Sequence, residues 1–473
     1  MQLQFHNQRT KQVDTFTPLQ DGSVALYTCG PTVYNALHIG NWAAYIYWDI
    51  LVRTLKHHGY AVARVMNITD VGHLVSDGDE GEDKLEAGAR REGITAWDVA
   101  ARYTEDFMQG MQRLNIVRPE HVIKATDFIS EQLELVRVLQ QKGHTYQIDD
   151  GIYFDTGTFP TYADFAGLDI AAQQAGARVT HNAQKRNPSD FALWKFTPDG
   201  TTRDMQWDTP ADLVDDGVSR PGFPGWHLEC SAMAMAKLGP SIDIHTGGID
   251  HIPIHHTNEI AQSEAATGQR FSNFWLHNNH VKSDGTKISK SLGNGYTLDD
   301  IIQKGYDPMA LRLFVLQSHY RTEGNFTFEL LDAAQTRLKR WKAVAALRHQ
   351  IDALHSADSF KAGRDAIAAA LADDLNTPLA LAAVDAAFDS FESMHEQDAA
   401  SLGAFIAELD ELFGLDLIGT TPNIAAGIAQ RIQDRQAARD AHDWATSDAI
   451  RDELHQKGVV IRDTSYGPRW EYA

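Results

Sequence analysis

Along the first seventy residues the apolar positions follow two periods in turn. Residues 23–28, SVALYT, form a short continuous apolar run that reads as a buried strand. The loop Cys29-Gly30-Pro31-Thr32 follows it. From about residue 41 to 58, Ile46, Ile50, Leu51 and Leu55 recur at helical spacing, and Gly59 ends the pattern. Residues 61–69, AVARVMNIT, then read as a second strand. Strand, loop, helix and parallel strand of this length open a nucleotide-binding α/β domain. Such domains bind ligands at the carboxyl ends of their strands, where the loop with Cys29 and His38 must lie.

The pattern continues with an acidic break at 76–84, SDGDEGEDK, read as an exposed loop, and a helix from about 96 to 114. From about 120 to 220 helices alternate with short strands, ending in the turn-rich DDGVSRPGFPG, as in an insertion. SIDIHTGG, 241–248, returns to strand and ends in glycines. Helical periodicity dominates after about 295, at 327–350, 360–372, 377–395 and 401–413. Pro422 and Gly427 mark a linker before two short helical patterns, an apolar run at 459–461 and the tail GPRWEYA. The fold class expected is a Rossmann-type parallel-sheet α/β domain in two halves, 1–120 and 223–275, around an inserted α/β domain at 121–222. A region at 276–338, a helical bundle at 339–420 and a small domain at 421–473 follow.

At 473 residues the chain exceeds a single core, which rarely grows past roughly 250–300 residues. No apolar run is long enough for a membrane helix and the N-terminus lacks a secretory pattern, so a cytoplasmic protein is expected. The net charge of −22 speaks against a nucleic-acid partner taken alone. A basic stripe, Arg337, Lys339, Arg340, Lys342 and Arg348, is either a phosphate footprint or a solvated helix face. Cys29 and Cys230 are the only cysteines, and are either two core thiols or ligands.

Three motifs carry chemistry. In His38-Ile39-Gly40-Asn41, glycine permits close backbone approach, the helix start attracts phosphate, and His38 can stabilise a transferring phosphoryl group. Lys287-Ile288-Ser289-Lys290-Ser291 suits a loop closing over a triphosphate, with Lys290 neutralising the departing pyrophosphate. His255 and Glu259, four apart, share a helix face, and with Cys29 and Cys230 they make a plausible four-ligand zinc set.

HIGN and KISKS, together with PGWHLECSAMA, DIHTGGID, HHTNEIAQSEA, MNITDVGHL and DWATSDAIRDELHQKGVVIRDTSYGPRW, resemble the cysteinyl-tRNA synthetase family of class I over essentially the whole chain. Asn41 departs from the second histidine of the family's HIGH signature, Ile288 from the methionine of KMSKS, and Thr257 from an expected acidic residue. The resemblance implies one zinc per chain on Cys29, Cys230, His255 and Glu259, with His256 outside the ligand set. It implies catalytic roles for His38, Asn41, Lys287 and Lys290, and contacts to magnesium-ATP from Gly30, Thr32, His38, Gly40, Asn41, Gly247, Gly248 and Lys290. Thr69, Trp226, His245 and Asp250 would hold L-cysteine, while Trp444, Asp448, Arg451 and Asp463 would read the anticodon of tRNA(Cys). Residues 276–338 would contact the tRNA stem, and 339–420 and 421–473 would bind the anticodon arm of a monomeric enzyme. An alternative is a mycothiol-type ligase that joins cysteine to an amino-sugar; a small nucleotidyltransferase or an inactive tRNA-binding relative would leave more motifs idle.

Overall fold

The computed structural model describes residues 2–72, 83–167, 183–289, 292–352, 358–464 and 467–472. An N-terminal hairpin, β1 (Gln4–Asn7) and β2 (Gln12–Thr15), leads into a five-stranded parallel sheet. That sheet contains β3 (Ser23–Thr28), β4 (Ala61–Ile68), β5 (His121–Lys124), β11 (Ile242–Gly248) and β12 (Ser272–Asn278), all parallel, in the order β12-β11-β3-β4-β5. After β3 the chain winds one way through α1 (Ile39–His57) to β4; after β11 it winds the other way through α6 (Thr257–Thr267) to β12. The crevice between the carboxyl ends of β3 and β11 is therefore the topological switch point, where open α/β sheets bind ligands.

Helix α1 starts two residues before the apolar periodicity predicts. His38 keeps an extended backbone as N-cap, and its side chain and that of Asn41 close a capping box. Residues 73–82 of the acidic break lie outside the described residues. Its end is not loop: Asp83 is buried and caps α2 (Lys84–Glu92) through the amides of Leu85 and Glu86, and α3 (Ala96–Arg113) follows.

The inserted sheet is antiparallel, β6 (Thr145–Ile148), β7 (Gly151–Phe154), β8 (Phe191–Phe196), β9 (Trp207–Thr209) and β10 (Arg220–Pro224), ordered β6-β7-β8-β10-β9. It buries Ile152, Phe154, Leu193 and Trp194 against Leu135, Val136 and Leu139 of α4 (Ile129–Gln141). Helix α5 (Trp226–Leu238) then returns the chain to the parallel sheet. Downstream lie the small sheet of β13 (Val281–Ser283), β14 (Thr286–Lys287) and β15 (Gly324–Phe326), with α7 (Leu298–Gln303) and α8 (Pro308–Leu316).

The bundle comprises α9 (Phe328–Ala346), α10 (Lys361–Ala372), α11 (Thr377–Glu392) and α12 (Ala399–Phe413). Its core is continuous with that of α1. A polar junction also joins them. The buried Asp49 carboxylate on α1 accepts hydrogen bonds from Arg312 of α8, from Arg53 Nε at 2.6 Å and from the Val117 amide at 2.8 Å. Arg312 Nε donates to Phe413 O at 2.5 Å, and Arg53 Nη1 to Asp410 O and Glu411 O, satisfying carbonyls of the last turn of α12.

Four of the five residues of the basic stripe on and just after α9 are engaged by neighbouring elements, while Lys339 is exposed. Arg337 pairs with Asp385 at 2.6 Å, Arg340 with Asp389, Lys342 with Asp307 at 2.6 Å, and Arg348 bonds Thr421 O at 2.7 Å. Arg337, Arg340 and Lys342 thus meet acidic residues of neighbouring elements, which the local charge pattern does not reveal.

After α13 (Leu417–Thr420), α14 (Ala426–Asp440) and α15 (Trp444–Gln456), the apolar run at 459–461 opens a hairpin rather than standing alone. β16 (Val459–Thr464) pairs antiparallel with β17 (Gly467–Tyr472), Ile461 opposite Trp470, so the expected tail is a strand; Gly427 lies in the first turn of α14, not in a linker. Among the described residues no helix is long and apolar enough to cross a membrane.

Candidate active site and metal centre

The two signature motifs, some 250 residues apart in sequence, are adjacent in the fold. His38 and Thr297 form an antiparallel β-bridge, and the Ile39 amide donates to Tyr296 O at 2.8 Å. A Cβ on Gly40 would lie 3.1 Å from the His38 ring and 3.2 Å from Ile288 Cδ1, so this glycine lets the KISKS segment approach. Asn41 N donates to His38 Nδ1 at 3.3 Å, and His38 N donates to Asn41 Oδ1 at 3.2 Å. The backbone amide of residue 41 thus holds the His38 ring while the Asn41 side chain caps the His38 amide, and burial lowers the pKa of the ring. Lys287 is exposed on β14, while Lys290 lies outside the described residues. Asn294 braces the segment: Oδ1 accepts from Ser289 N at 2.9 Å, and Nδ2 donates to Thr286 Oγ1 at 3.1 Å and Lys287 O at 3.2 Å.

Beside these motifs the chain beyond β3 lies flat on the chain beyond β4. A Cβ on Gly30 would stand 1.6 Å from Asn67 O, and the Gly30 amide donates to Asn67 Oδ1 at 2.8 Å. Asn67 Nδ2 in turn donates to Thr69 Oγ1 at 3.0 Å, and Thr32 bridges to Thr69. On the other lip, a Cβ on Gly247 would meet His256 at 2.6 Å, and one on Gly248 would meet Asp250 at 2.3 Å. Asp250 is exposed on a short turn, whereas Trp226, first residue of α5, is half-buried with its ring 4.9 Å from that of His255.

Between the lips sits a buried cluster. One donor atom each from Cys29, Cys230, His255 and Glu259 lie within 4.8 Å of one another, and so do those of Cys29, His245, His256 and Glu259. His255 and His256 belong to a single π-turn, Ile252–His256, ahead of α6; such turns recur at functional sites. Thr257 Oγ1 donates to Ile252 O at 2.7 Å across that turn, which gives the residue standing in place of an acid a structural role.

Glu259 Oε1 lies 3.0 Å from His255 Nε2, and Oε2 lies 2.8 Å from His245 Nε2. His245 is wholly buried and stacked on Trp275 at 4.4 Å, with its Nε2 engaged by Glu259. The hydrogen bond with Cys29 holds the Cys230 thiol down at about 6 against its burial and the Glu259 charge, with His255 assisting. That bond, with burial, pushes Cys29 up. Burial draws His255 down, but Glu259 and Cys230 outweigh it and carry the imidazole up to about 10. Burial likewise opposes ionisation of Glu259, and His245 and His255 overcome it, holding the carboxyl below its ordinary range. Two thiols, an imidazole and a carboxylate thus converge in one buried cluster, and metal binding to such a set displaces its protons.

The resemblance places His256 beside the ligand set rather than in it, and the sequence assigns no role to His227, His277 and His251. His227 Nδ1 lies 2.9 Å from His255 Nδ1, and His277 Nε2 lies 2.7 Å from His256 Nδ1; the His251 ring lies 5.0 Å from that of His255. The clustering of HHT, WH and LHN histidines around one glycine-ended strand is the signal available in the sequence, and only the fold converts it into proximity.

In the C-terminal unit Trp444 is 55% exposed, stacked on His442 at 5.8 Å with Arg439 over its ring. Asp448 and Arg451 are exposed and paired at 3.1 Å; Asp463 is held by Arg435 at 2.8 and 3.0 Å and by Arg439 at 3.2 Å.

A parallel sheet whose switch point is flanked by a histidine-capped helix and a lysine-bearing loop defines the catalytic fold of class I tRNA synthetases. Solved structures share that fold: a Mycobacterium tuberculosis methionyl-tRNA synthetase with methionyl-adenylate (TM-score 0.57, 14% identity, 84% of this chain and 92% of that one) and an Agrobacterium radiobacter LeuRS–tRNA–LeuAMS complex (TM-score 0.63, 12% identity, 87% and 86%). The family of class I (C) tRNA synthetase catalytic domains matches residues 15–336, and the cysteinyl-tRNA ligase anticodon-binding domain matches 421–470. Cysteine–tRNA ligase 1 of Burkholderia lata is 43% identical over 99% of this chain and 97% of its own length; the cysteine–tRNA ligase of Treponema denticola is 37% identical over 100% of both. The chain belongs to the cysteine–tRNA ligase family.

Proposed function

We propose that the chain activates L-cysteine with magnesium-ATP to cysteinyl-adenylate and transfers the cysteine to the 3′ end of tRNA(Cys). The observation that carries this reading is the junction of HIGN, the KIS segment and a Cys/Cys/His/Glu cluster at one sheet switch point. An amino-sugar ligase would leave the match at 421–470 without a use.

The donor set of two thiols, an imidazole and a carboxylate, crowded within 4.8 Å, fits zinc. Cys29, Cys230, His255 and Glu259 would hold it, and when bound it supplies a soft Lewis acid that accepts a substrate thiolate and disfavours a serine hydroxyl. Around it, Trp226 walls the pocket, and Thr69 and Asp250 orient the amino acid for in-line attack of its carboxylate on the α-phosphate. His245 acts from beneath, orienting Glu259. The glycine-lined lips at Gly30, Thr32, Gly40, Gly247 and Gly248 admit the nucleotide. His38, its ring held by the backbone amide of Asn41, with Asn41, Lys287 and Lys290, balances charge on the phosphates as pyrophosphate leaves. Residues 1–120 and 223–275 form the catalytic domain, 121–222 the insertion and 276–338 the stem-contact region. Residues 339–420 and 421–473 bind the anticodon arm, Trp444 stacking on a base beside Asp448, Arg451 and Asp463.

Charging of bulk tRNA with labelled cysteine, against a serine control, tests the whole reading. Cysteine-only charging is expected; equal charging with serine would sink the metal-based discrimination, and no charging would sink the assignment. Asn294→Ala, which frees the KISKS segment at three points, is expected to slow pyrophosphate exchange about 10- to 100-fold while the KM for cysteine stays within about twofold. A parallel rise in that KM would place Asn294 in the cysteine pocket instead. Trp444→Ala should leave stability within about 0.5 kcal/mol, since the ring is exposed, and leave pyrophosphate exchange intact. Loss of one stacked base is worth about 1–3 kcal/mol, so the KM for tRNA should rise at least about fivefold in charging assays.

A further inference from the structure

The Glu259 carboxylate faces two groups of donors. Oε1 lies 3.0 Å from His255 Nε2 and 3.8 Å from His256 Nε2, while Oε2 lies 2.8 Å from His245 Nε2. Cys29 Sγ lies 3.6 Å from His256 Nε2. Ordinary zinc–sulfur and zinc–nitrogen bond lengths place two such ligands about 3.5 Å apart around a tetrahedral ion. Cys29, His245, His256 and Glu259 thus make a second quartet as compact as the first.

The surroundings of the two adjacent histidines match. A ligating imidazole needs a partner on its far nitrogen to set its tautomer and direction. His255 has one in His227 at 2.9 Å, and His256 has one in His277 at 2.7 Å. Neighbours on an α-helix diverge by about 100°, which would carry His256 away from the centre. The π-turn Ile252–His256 sets both rings against Glu259. Gly247 contributes by its lack of a side chain, since a Cβ there would strike His256.

We infer that the centre can hold its divalent cation in either of two overlapping donor sets, Cys29–Cys230–His255–Glu259 or Cys29–His245–His256–Glu259, hinged on the two shared residues. The inference rests on the zinc reading above. It makes the four ligands unequal: Cys29 and Glu259 serve both sets, whereas Cys230 and His255 each serve one. The second set trades a sulfur for a nitrogen, a change zinc tolerates.

The test compares full-length wild type, Cys230→Ser, His255→Asn, His256→Asn and the Cys230→Ser/His256→Asn double variant. Each is titrated with zinc, and with cobalt(II) as a visible probe, and checked for folding by circular dichroism. Cys230→Ser is expected to keep about one metal per chain with affinity weakened about 100-fold. X-ray absorption should show its sulfur neighbours falling from two to one, and the cobalt–thiolate band weakening. His255→Asn should keep its metal as well, so the outcome does not hang on one variant's folding. His256→Asn alone should keep the wild-type spectrum, and the double variant should bind no metal. Folded Cys230→Ser and His255→Asn that bind none would overturn the second set while leaving the first. Wild type that binds no metal would overturn both.

Discussion

Glu259→Gln is expected to lose its zinc and to lower cysteine-dependent pyrophosphate exchange about a thousandfold. The amide has nearly the shape of the carboxylate but lacks the charge that His245 and His255 share from both sides. It also removes the one side chain with an oxygen facing each donor group, so neither quartet can form without it. Breaking a buried charge pair costs about 3–5 kcal/mol, so a lowered melting temperature should accompany the loss. Metal content measured on the purified variant checks the prediction independently of turnover. Wild-type zinc content would remove Glu259 from the centre.

The second large effect lies far from the chemistry. Arg312→Ala leaves the fully buried Asp49 carboxylate short of a charged partner and strips the hydrogen bonds to Phe413 O and Leu114 O. A buried carboxylate left in this way costs about 3–5 kcal/mol, read as a lowered thermal midpoint. Burial opposes ionisation of Asp49, but Arg312 and Arg53 hold its pKa below the ordinary value, while burial brings Arg312 to about 10. A depressed carboxylate contributes stability that is present above its unfolded pKa and is lost as pH falls through its folded pKa. Removing Arg312 raises the folded value, so the acid-unfolding midpoint should move to higher pH. A variant that unfolds in acid at the wild-type pH would show that Asp49 is not charged by this contact.

How far the sequence could be read follows from the range of each interaction. HIGN, KISKS and the opening βαβ unit are local patterns, and the periodicity of Ile46, Ile50, Leu51 and Leu55 reports α1 directly. The periodicity alone begins two residues inside the helix, because His38 and Asn41 cap each other through side chains that carry no hydrophobic signal, while HIGN itself marks the start. Sequence spacing alone does not show that His255 and His256 both face Glu259, because the π-turn Ile252–His256 has no local signature. The basic stripe on α9 gave no local sign of its partners, because Asp385 and Asp389 come from a helix some fifty residues later. The resemblance gives His245 to the substrate, and only the fold shows that its Nε2 also meets Glu259 Oε2 at 2.8 Å.

Helix α1 begins at the His38 cap and carries Asp49 and Arg53 one to two turns before its end. At 1.5 Å per residue its nineteen residues span about 28 Å. One unbroken rod therefore sets the spacing between the His38 turn and the seat of the bundle. Deleting or adding a single residue between Gly40 and Asp49 would turn one end about 100° against the other and lift Asp49 off Arg312. Surface loops elsewhere can gain or lose residues with little consequence, but this stretch behaves as a ruler, and its length is as constrained as the identity of any residue in the catalytic cleft.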